Sequence, residues 1–258
     1  MRSETTERQP STPRIRGARQ RQESASADSV LVLGATGGIG RAVVEELIGV
    51  GRPVLAVGRD EAKLLTLTRE LNSPLLTTVS ASVVDDTQRE ELIRKVGALR
   101  PRVGHVVAAI CGSGSSARLL EQSGQFLKDT FADDVLPHFL AARHFVPLIA
   151  ENNPGGEYLV VSGPATFCAW SGYGHRSVAA AALAMLMRVL REEAKELPVR
   201  IQQLQVASHV RTERNADIAS PDWLPARDVA RRVAELIALR HDTSAVVQIG
   251  GHESFEVG

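Results

Sequence analysis

The sequence predicts an α/β fold, a doubly wound (mostly parallel) sheet with helices on both faces, in a single domain. Apolar runs alternate along the chain with segments of helical spacing, which is the pattern of strands and helices in a parallel sheet. The runs are apolar throughout rather than alternating, as expected for strands covered on both faces. A length of 258 residues without an internal repeat fits one large domain.

Seven strands and six helical segments follow from this pattern. The predicted strands cover residues 30–33, 54–57, 75–79, 103–110, 158–161, 199–206 and 245–249. The predicted helices cover 41–50, a segment ending at 71, then 87–99, 125–150, 177–197 and 226–239.

The composition excludes several classes of partner. The chain has 30 basic and 30 acidic residues and a formal net charge of zero, so nothing favours nucleic acid or an anionic membrane surface. No apolar run approaches the ~20 residues that span a bilayer, and no signal-peptide core stands near the first residue. We therefore expect a cytoplasmic protein with a small-molecule substrate.

The two cysteines, Cys111 and Cys168, form no metal-ligand or disulfide pattern. We interpret them as reduced thiols that pack in the interior. His138 and His144 are six residues apart on one predicted helix, a poor spacing for shared ligands, so we predict no metal site.

The first 28 residues have a different composition from the rest. They are rich in Arg, Ser, Thr and Gln, and Ile15 is their only large aliphatic residue besides Met1. Such a segment buries too little apolar surface to offset its ordering entropy. We predict a disordered tail over 1–28 and a folded domain over 29–258.

A glycine motif follows the first predicted strand and opens the first helix. In Gly34-x-x-x-Gly38-x-Gly40, the first glycine permits a tight turn, the second leaves room for phosphates, and the third lets helix and strand pack closely. Free N–H groups and the helix dipole favour an anion there. The motif in this context predicts a Rossmann-type dinucleotide site.

The residue after the second strand indicates which dinucleotide binds. NAD sites usually end this strand with an acidic residue, whereas this chain has Gly58-Arg59-Asp60. Since an arginine suits a 2′-phosphate, we predict NADP(H), with a solvated surface arginine as the alternative.

The whole of residues 29 to about 252 resembles the short-chain dehydrogenase/reductase family. The residues that carry the resemblance are the glycine motif, Gly58-Arg59 with Leu64, Leu136-Pro137 to Pro147, Gly156, residues 171–176, Asp228-Val-Ala230 and Gly250-Gly251. The resemblance implies a seven-stranded sheet, a nicotinamide cofactor, and a homodimer or homotetramer built on the two long helices. The cofactor-binding positions it implies are Gly34, Thr36, Gly37, Gly38, Ile39, Gly40, Arg59, Ser82, Val83, Ala108 and Thr212.

The family's proton relay does not carry over to this chain. Members use Tyr-x-x-x-Lys with an upstream serine and asparagine, and the tyrosine acts as the general acid–base. Here neither Tyr158 nor Tyr173 has a lysine four residues on. The matching positions hold Arg176 and Ala180, with Gly163 at the serine and Asp134 at the asparagine.

The candidate catalytic residues are therefore Asp134, His175 and Arg176. His175 is the type of group that exchanges protons near neutral pH, and Asp134 could orient it. Arg176 stays charged, so it could hold a carboxylate or an oxyanion but cannot act as an acid. The alternative is that these residues are a solvated loop histidine and surface charges.

Three functional interpretations stay open. The first is an enzyme, either an oxidoreductase that takes its proton from substrate, water or His175, or a non-redox isomerase, dehydratase or cyclase. The second is an inactive homologue that serves as a partner subunit or NADP(H)-binding scaffold. The third is an unrelated ligand in a vestigial site. The segments 113–125 and 212–225 are expected pocket walls, but they carry no chemical signature.

Overall fold

A computed structural model describes residues 28–99, 102–112, 116–166, 168–239 and 244–251. The predicted tail over 1–28 lies outside these residues except for Asp28. Its expected disorder stays a prediction.

The described residues form a seven-stranded sheet in the order β3-β2-β1-β4-β5-β6-β9. Each neighbouring pair is parallel, so the prediction of a doubly wound sheet is confirmed. The strands are β1 (Ser29–Leu33), β2 (Val54–Gly58), β3 (Leu76–Ser80), β4 (Val103–Ala108), β5 (Gly156–Ser162), β6 (Val199–Val206) and β9 (Val246–Ile249).

Seven α-helices cover the two faces of this sheet within the described part of the chain. They are α1 (Gly38–Gly49), α2 (Glu61–Leu71), α3 (Asp86–Ala98), α4 (Gly124–Asp134), α5 (Leu136–Asn152), α6 (Gly174–Glu193) and α7 (Ala226–Ala238). Successive strand residues point to opposite faces. Leu31 and Leu33 accordingly pack with α3, α5 and α6, while Val30 and Val32 pack with α1, α2 and α7.

The predicted helix over 125–150 is two helices, α4 and α5, separated at Val135. Pro137 causes the break because it has no N–H to donate to the preceding turn. The same residue is well accommodated in the first turn of α5, where that donor has no intrahelical partner.

A second, smaller sheet escaped the sequence prediction. It pairs β7 (Val210–Arg211) with β8 (Leu224–Pro225) in parallel, after β6 has left the main sheet. Strands of two residues are too short to show a hydrophobic periodicity in the sequence. This sheet fixes the chain on either side of Thr212, which bears on the site below.

Among the described residues, no helix combines the length and apolarity needed to cross a bilayer.

His138 ties helix α5 to the end of β4 from inside the core. Its ring is almost fully buried, and its Nε2 lies 3.2 Å from the carbonyl oxygen of Ile110. Because that oxygen accepts, the neutral ring carries its proton on Nε2. Burial lowers the pKa of His138 to about 4, although the bond to Ile110 and the charge of Asp134 oppose this shift.

We predict that this histidine weakens the fold at acid pH. The unfolded chain takes up a proton near the ordinary histidine pKa of 6.5, whereas the folded chain does not until about 4. The free energy of unfolding therefore falls as the pH drops between these values, by roughly 1.4 kcal/mol per pH unit. Urea titrations of wild type and His138→Gln at pH 7, 5.5 and 4.5 measure the difference. Parallel pH profiles for the two proteins would contradict the assignment.

Candidate functional site

The glycine turn between β1 and α1 is too tightly packed for side chains. Gly34 has φ +78°, and a Cβ there would lie 2.3 Å from the carbonyl oxygen of Ala109. A Cβ on Gly40 would lie 2.1 Å from the carbonyl oxygen of Gly34. Both distances are far below van der Waals contact, so the turn requires glycine at these positions. Helix α1 is thereby held directly against the carboxyl ends of β1 and β4.

The amino end of α1 lacks a side-chain cap. Its N-cap residue, Gly37, offers no capping side chain, and the first turn contains no acidic residue. Helices α2 and α3, by contrast, are capped by the carboxylates of Asp60 and Asp85. The unpaired N–H groups and the positive end of the helix dipole suit a bound anion.

Thr212 lies against this helix end. A Cβ on Gly38 would lie 2.6 Å from the Thr212 Cγ2, so the threonine occupies the space that the glycine leaves. Asn215 fixes Thr212, because its Oδ1 accepts from the Thr212 backbone N–H at 2.7 Å and from the hydroxyl at 3.0 Å. The β7–β8 sheet thus places a hydroxyl beside the anion-binding end of α1.

The end of β2 brings a second group of predicted residues to the same edge. A Cβ on Gly58 would lie 3.0 Å from both Cγ2 and Oγ1 of Thr36, so the threonine of the glycine turn faces the end of this strand. Arg59 follows with an exposed side chain, and no ion pair is formed by it among the described residues. Its cation is therefore available to a ligand that reaches from the turn toward β2.

The remaining predicted cofactor residues differ in accessibility. Ser82 and Val83 follow β3, beside Gly58, since Ala81 donates its N–H to the Gly58 carbonyl oxygen. Ile39 is partly exposed on α1. Ala108 is fully buried within β4, so a ligand would meet the residues after it rather than Ala108 itself.

Asp134 and Arg176 hold the backbone of one residue, Gly112, between them. Asp134 accepts the Gly112 N–H through its Oδ1 at 2.6 Å, and Arg176 donates from Nη2 to the Gly112 carbonyl oxygen at 2.7 Å. The two side chains come from α4 and α6 and fix the loop after β4. Gly112 is required because a Cβ there would lie 2.9 Å from the Asp133 Cβ. We call this arrangement the Gly112 bracket.

The second guanidinium nitrogen of Arg176 points at a thiol. Nη1 lies 3.3 Å from the Cys111 Sγ. Burial lowers the pKa of Arg176, but Cys111 and Asp134 outweigh it and raise the pKa above its usual value. Arg176 is therefore a permanent cation, as predicted. The expectation of packing thiols is wrong for Cys111, which is exposed; Cys168 is partly buried, and the two are not bonded.

His175 lies close to the bracket but is not oriented by Asp134. Its ring is almost fully buried, 5.0 Å from the Phe126 ring in an edge-on contact. Neither ring nitrogen has a hydrogen-bond partner among the described residues. Burial lowers the pKa of His175, Arg176 lowers it further, and Asp134 partly offsets the two. The ring is thus neutral at pH 7 and shielded from solvent.

His209 also lies at this edge, in surroundings that the sequence does not reveal. The His209 imidazole stacks between both tryptophans of the chain, with centroids 5.3 Å from Trp170 and 4.7 Å from Trp223. The three rings come from separate loops, after β5, after β6 and before β8. The only available signal was that both tryptophans stand in predicted loops rather than in strands or helices.

Comparison with known proteins places this architecture in a family. The family model for short chain dehydrogenases matches residues 28–222, about three quarters of the chain. The chain belongs to the short-chain dehydrogenase family. The resemblance inferred from the glycine motif and its surroundings is therefore confirmed.

Curated relatives of the family share moderate identity. A short-chain dehydrogenase/reductase of Pestalotiopsis fici, iacG, is 27% identical over 218 residues, which are 82% of this chain and 86% of that protein. Human 17-beta-hydroxysteroid dehydrogenase 13 is 29% identical over 55% of this chain and 48% of its own. The putative daunorubicin C-13 ketoreductase DnrU of Streptomyces is 32% identical over 53% and 46%. The chain thus spans about half the length of the last two.

Solved structures share the fold at lower identity. A short-chain dehydrogenase/reductase from Mycobacterium ulcerans superposes with a TM-score of 0.76 at 22% identity, covering 86% of this chain and 88% of its own. An alcohol dehydrogenase from Thermococcus sibiricus gives 0.74 at 21% identity, with 86% and 95% covered. These likenesses support the single-domain α/β sheet.

We predict that removing the Asp134 carboxylate loosens the loop after β4. Hydrogen bonds to charged groups contribute about 1.5–3 kcal/mol, so Asp134→Ala should speed amide exchange at Gly112 by roughly 10–100-fold. Hydrogen exchange followed by NMR measures this rate. Asp129→Ala is the matched control, since its carboxylate binds only the nearby Gln125 on the same helix. Equal exchange at Gly112 in both variants would show that the bracket does not hold the loop.

Proposed function

We propose that this member of the short-chain dehydrogenase family is an NADP(H)-dependent oxidoreductase that works without the Tyr-x-x-x-Lys proton relay. The observation that carries the proposal is the glycine turn with its uncapped helix end and the neighbouring Arg59. The substrate class is a small molecule with a carbonyl group or the corresponding alcohol.

The residues present fit the dinucleotide. The α1 amino end with Gly37 and Gly38 would hold the pyrophosphate, and Thr212, whose hydroxyl donates to Asn215, would lie against it from the other side. Thr36 and Arg59 lie at the end of β2, where a dinucleotide in a Rossmann site would have its adenosine ribose, so the guanidinium would pair with a 2′-phosphate. The Thermococcus sibiricus structure contains 5-hydroxy-NADP, and that of ElxO, which superposes with a TM-score of 0.76 at 17% identity, contains NADP.

The chemistry divides between the coenzyme and the chain. When bound, NADPH would supply a hydride to the carbonyl carbon of the substrate, and the resulting alkoxide would need one proton to become an alcohol. Arg176 cannot supply that proton because its pKa is raised and its N–H groups are bonded to Gly112 and Cys111. His175 is neutral but has no solvent contact at its nitrogens. The proton would therefore come from water or from the substrate.

One observation favours a second candidate, an NADP(H)-binding protein without turnover. The Gly112 bracket uses both candidate catalytic charges to hold backbone, which leaves Asp134 and Arg176 as positioning residues in this conformation. A scaffold or partner subunit would retain coenzyme binding and lack hydride transfer. The non-redox alternatives have no supporting contact among the described residues. A cytoplasmic location remains part of the proposal, supported by the two unpaired cysteines.

We predict that the protein binds NADPH at least tenfold more tightly than NADH and that Arg59→Ala removes this difference. The lost contact is a charge-assisted bond to the 2′-phosphate, which NADH lacks. Calorimetric titration of both coenzymes into wild type and the variant measures the four dissociation constants. Arg69→Ala, a basic residue at the far end of α2, serves as control.

Two outcomes of that titration have different meanings. Equal affinity of wild type for the two coenzymes would remove the role of Arg59, and no affinity for either would end the proposal. Binding of NADPH without oxidation by any carbonyl compound would favour the scaffold function.

Subunit association is the other part of this proposal. The outer face of α4, α5 and α6 carries a groove lined by Leu127, Phe131, Leu136, Phe139 and Leu186. Phe139 and Leu136 are each more than a third exposed, and Met185 on α6 is 56% exposed. Contiguous apolar surface of this kind marks protein interfaces. It supports a homodimer through the long helices.

We expect Phe139→Glu to convert the dimer to a monomer. Burying a carboxylate in an apolar interface without a partner is costly, so association should weaken by at least tenfold. Sedimentation equilibrium measures the association constant. Leu65→Glu, at an exposed site on α2, is the control. A monomeric wild type, or a variant that dimerises as well as wild type, would refute this arrangement.

A further inference from the structure

Aromatic rings form a continuous band along the carboxyl edge of the sheet. The chain is poor in aromatic residues, at 4% Phe, Trp and Tyr, yet six rings contact one another in sequence here. The members of the band, in order, are Phe126, His175, Tyr173, Trp170, His209 and Trp223.

The contacts of the band have the geometry of aromatic pairs. Tyr173 lies 6.4 Å from His175 and 6.2 Å from Trp170, measured between ring centroids. The planes of Trp170 and His209 are only 9° apart, and those of His209 and Trp223 are 21° apart. The Trp170–Tyr173 pair is edge-on and the two pairs with His209 are stacked, which are arrangements that stabilise ring pairs, whereas the Tyr173 and His175 planes are tilted by 31°.

The position of the band ties it to the proposed site. His209 stands three residues before Thr212, which lies against the amino end of α1. At its other end, His175 precedes Arg176 of the Gly112 bracket. The band therefore runs from the anion-binding turn to the position of the missing relay. This is the edge at which open α/β sheets bind their ligands.

The band is not an extension of the hydrophobic core. Tyr158 and Phe145, which are core aromatics, are at most 1% exposed. Trp170, His209 and Trp223 are instead partly exposed, and Tyr173 is 38% exposed. Part of the ring surface is therefore presented to the solvent.

Backbone hydrogen bonds hold the rings in place before any ligand arrives. Trp170 donates its N–H to the Ser177 Oγ and accepts the Tyr173 N–H at its carbonyl oxygen. The His209 carbonyl oxygen accepts from Leu224 within the β7–β8 sheet. A surface fixed in this way loses little conformational entropy on binding.

We propose that this aromatic band is the substrate-binding wall and that the substrate is a flat, uncharged aromatic or conjugated carbonyl compound, or the matching alcohol. The inference rests on the proposed oxidoreductase function. No band member is a carboxylate, ammonium or guanidinium group, so recognition is by ring stacking and apolar contact rather than by charge.

The test compares a flat aromatic ketone with its saturated, non-planar counterpart. The probes are 2-acetylnaphthalene and its decahydro counterpart, which share one carbon skeleton and one carbonyl group. Equilibrium dialysis against the full-length protein without coenzyme gives each dissociation constant. Both tryptophans of the chain belong to the band, so the two indole N–H signals in a ¹H–¹⁵N spectrum report on this surface alone.

We expect the flat ketone to bind about tenfold more tightly and to shift both indole signals. Trp170→Leu should remove the preference, and Trp170→Phe, which keeps a ring, should retain most of it. Comparable thermal midpoints for the two variants show that both are folded. Three results would contradict the proposed substrate-binding surface: equal binding of the two ketones to wild type, no binding of either ketone, or an unchanged preference in Trp170→Leu.

Failure of the substrate-binding proposal can be distinguished from failure of the coenzyme proposal. Because the dialysis contains no coenzyme, a preference for the flat ketone in a protein that fails to bind NADPH would overturn the proposed oxidoreductase while leaving the wall in place. Intact NADPH binding without a preference for the flat ketone would contradict only the proposal that the aromatic band binds the substrate.

Discussion

The carbonyl oxygen of Gly34 is the point around which the site is built. A side chain on Gly40 would collide with it, and one on Gly37 would lie only 3.2 Å away. A side chain on Gly34 itself would collide with Ala109. Three elements, β1, β4 and α1, can therefore meet at one turn only because three side chains are absent. The glycine N-cap leaves the helix end without a capping side chain, which would suit a bound anion.

The rest of the carboxyl edge is arranged by loops that bind one another. Asp134 and Arg176 hold Gly112 from two helices, and Asn215 holds Thr212 against α1. Gly172 accepts the Ala117 N–H, which ties the loop after β4 to the loop after β5. Two of these bonds, Arg176 to Gly112 and Ala117 to Gly172, join the β4–β5 connection to the β5–β6 connection. The edge consequently behaves as one preformed surface rather than as separate flexible loops.

The fold could be predicted from the sequence because both sheet faces are covered. Strands in that setting are uniformly apolar, so runs such as 30–33 and 54–57 stand out clearly. The start of α1 at Gly38 was predicted three residues late, since a glycine start offers no capping signal. The split at Val135 was also missed, although Pro137 marked it.

The glycine turn was predictable for a related reason, because its requirements are local in sequence. The Gly112 bracket could not be predicted, because its hydrogen bonds join Gly112 to residues that are 22 and 64 positions away in the chain. No residue type marks a main-chain group that will be held in this way. The aromatic band likewise depends on contacts between loops, and only the folded chain shows that Trp170, His209 and Trp223 stack.

Coenzyme binding and proton transfer make different demands on a protein, and this chain separates them. The dinucleotide turn needs backbone groups and the absence of side chains, which glycine positions secure. Proton transfer needs a side chain of suitable pKa in contact with the substrate. Arg176, which the resemblance aligns with the relay tyrosine, has a permanent charge and donors that are bonded to Gly112 and Cys111. The glycine turn would meet the first requirement, whereas the charges of Arg176 and Asp134 hold backbone instead of meeting the second. Under the proposed function, the aromatic band would supply binding energy for the substrate at the same edge.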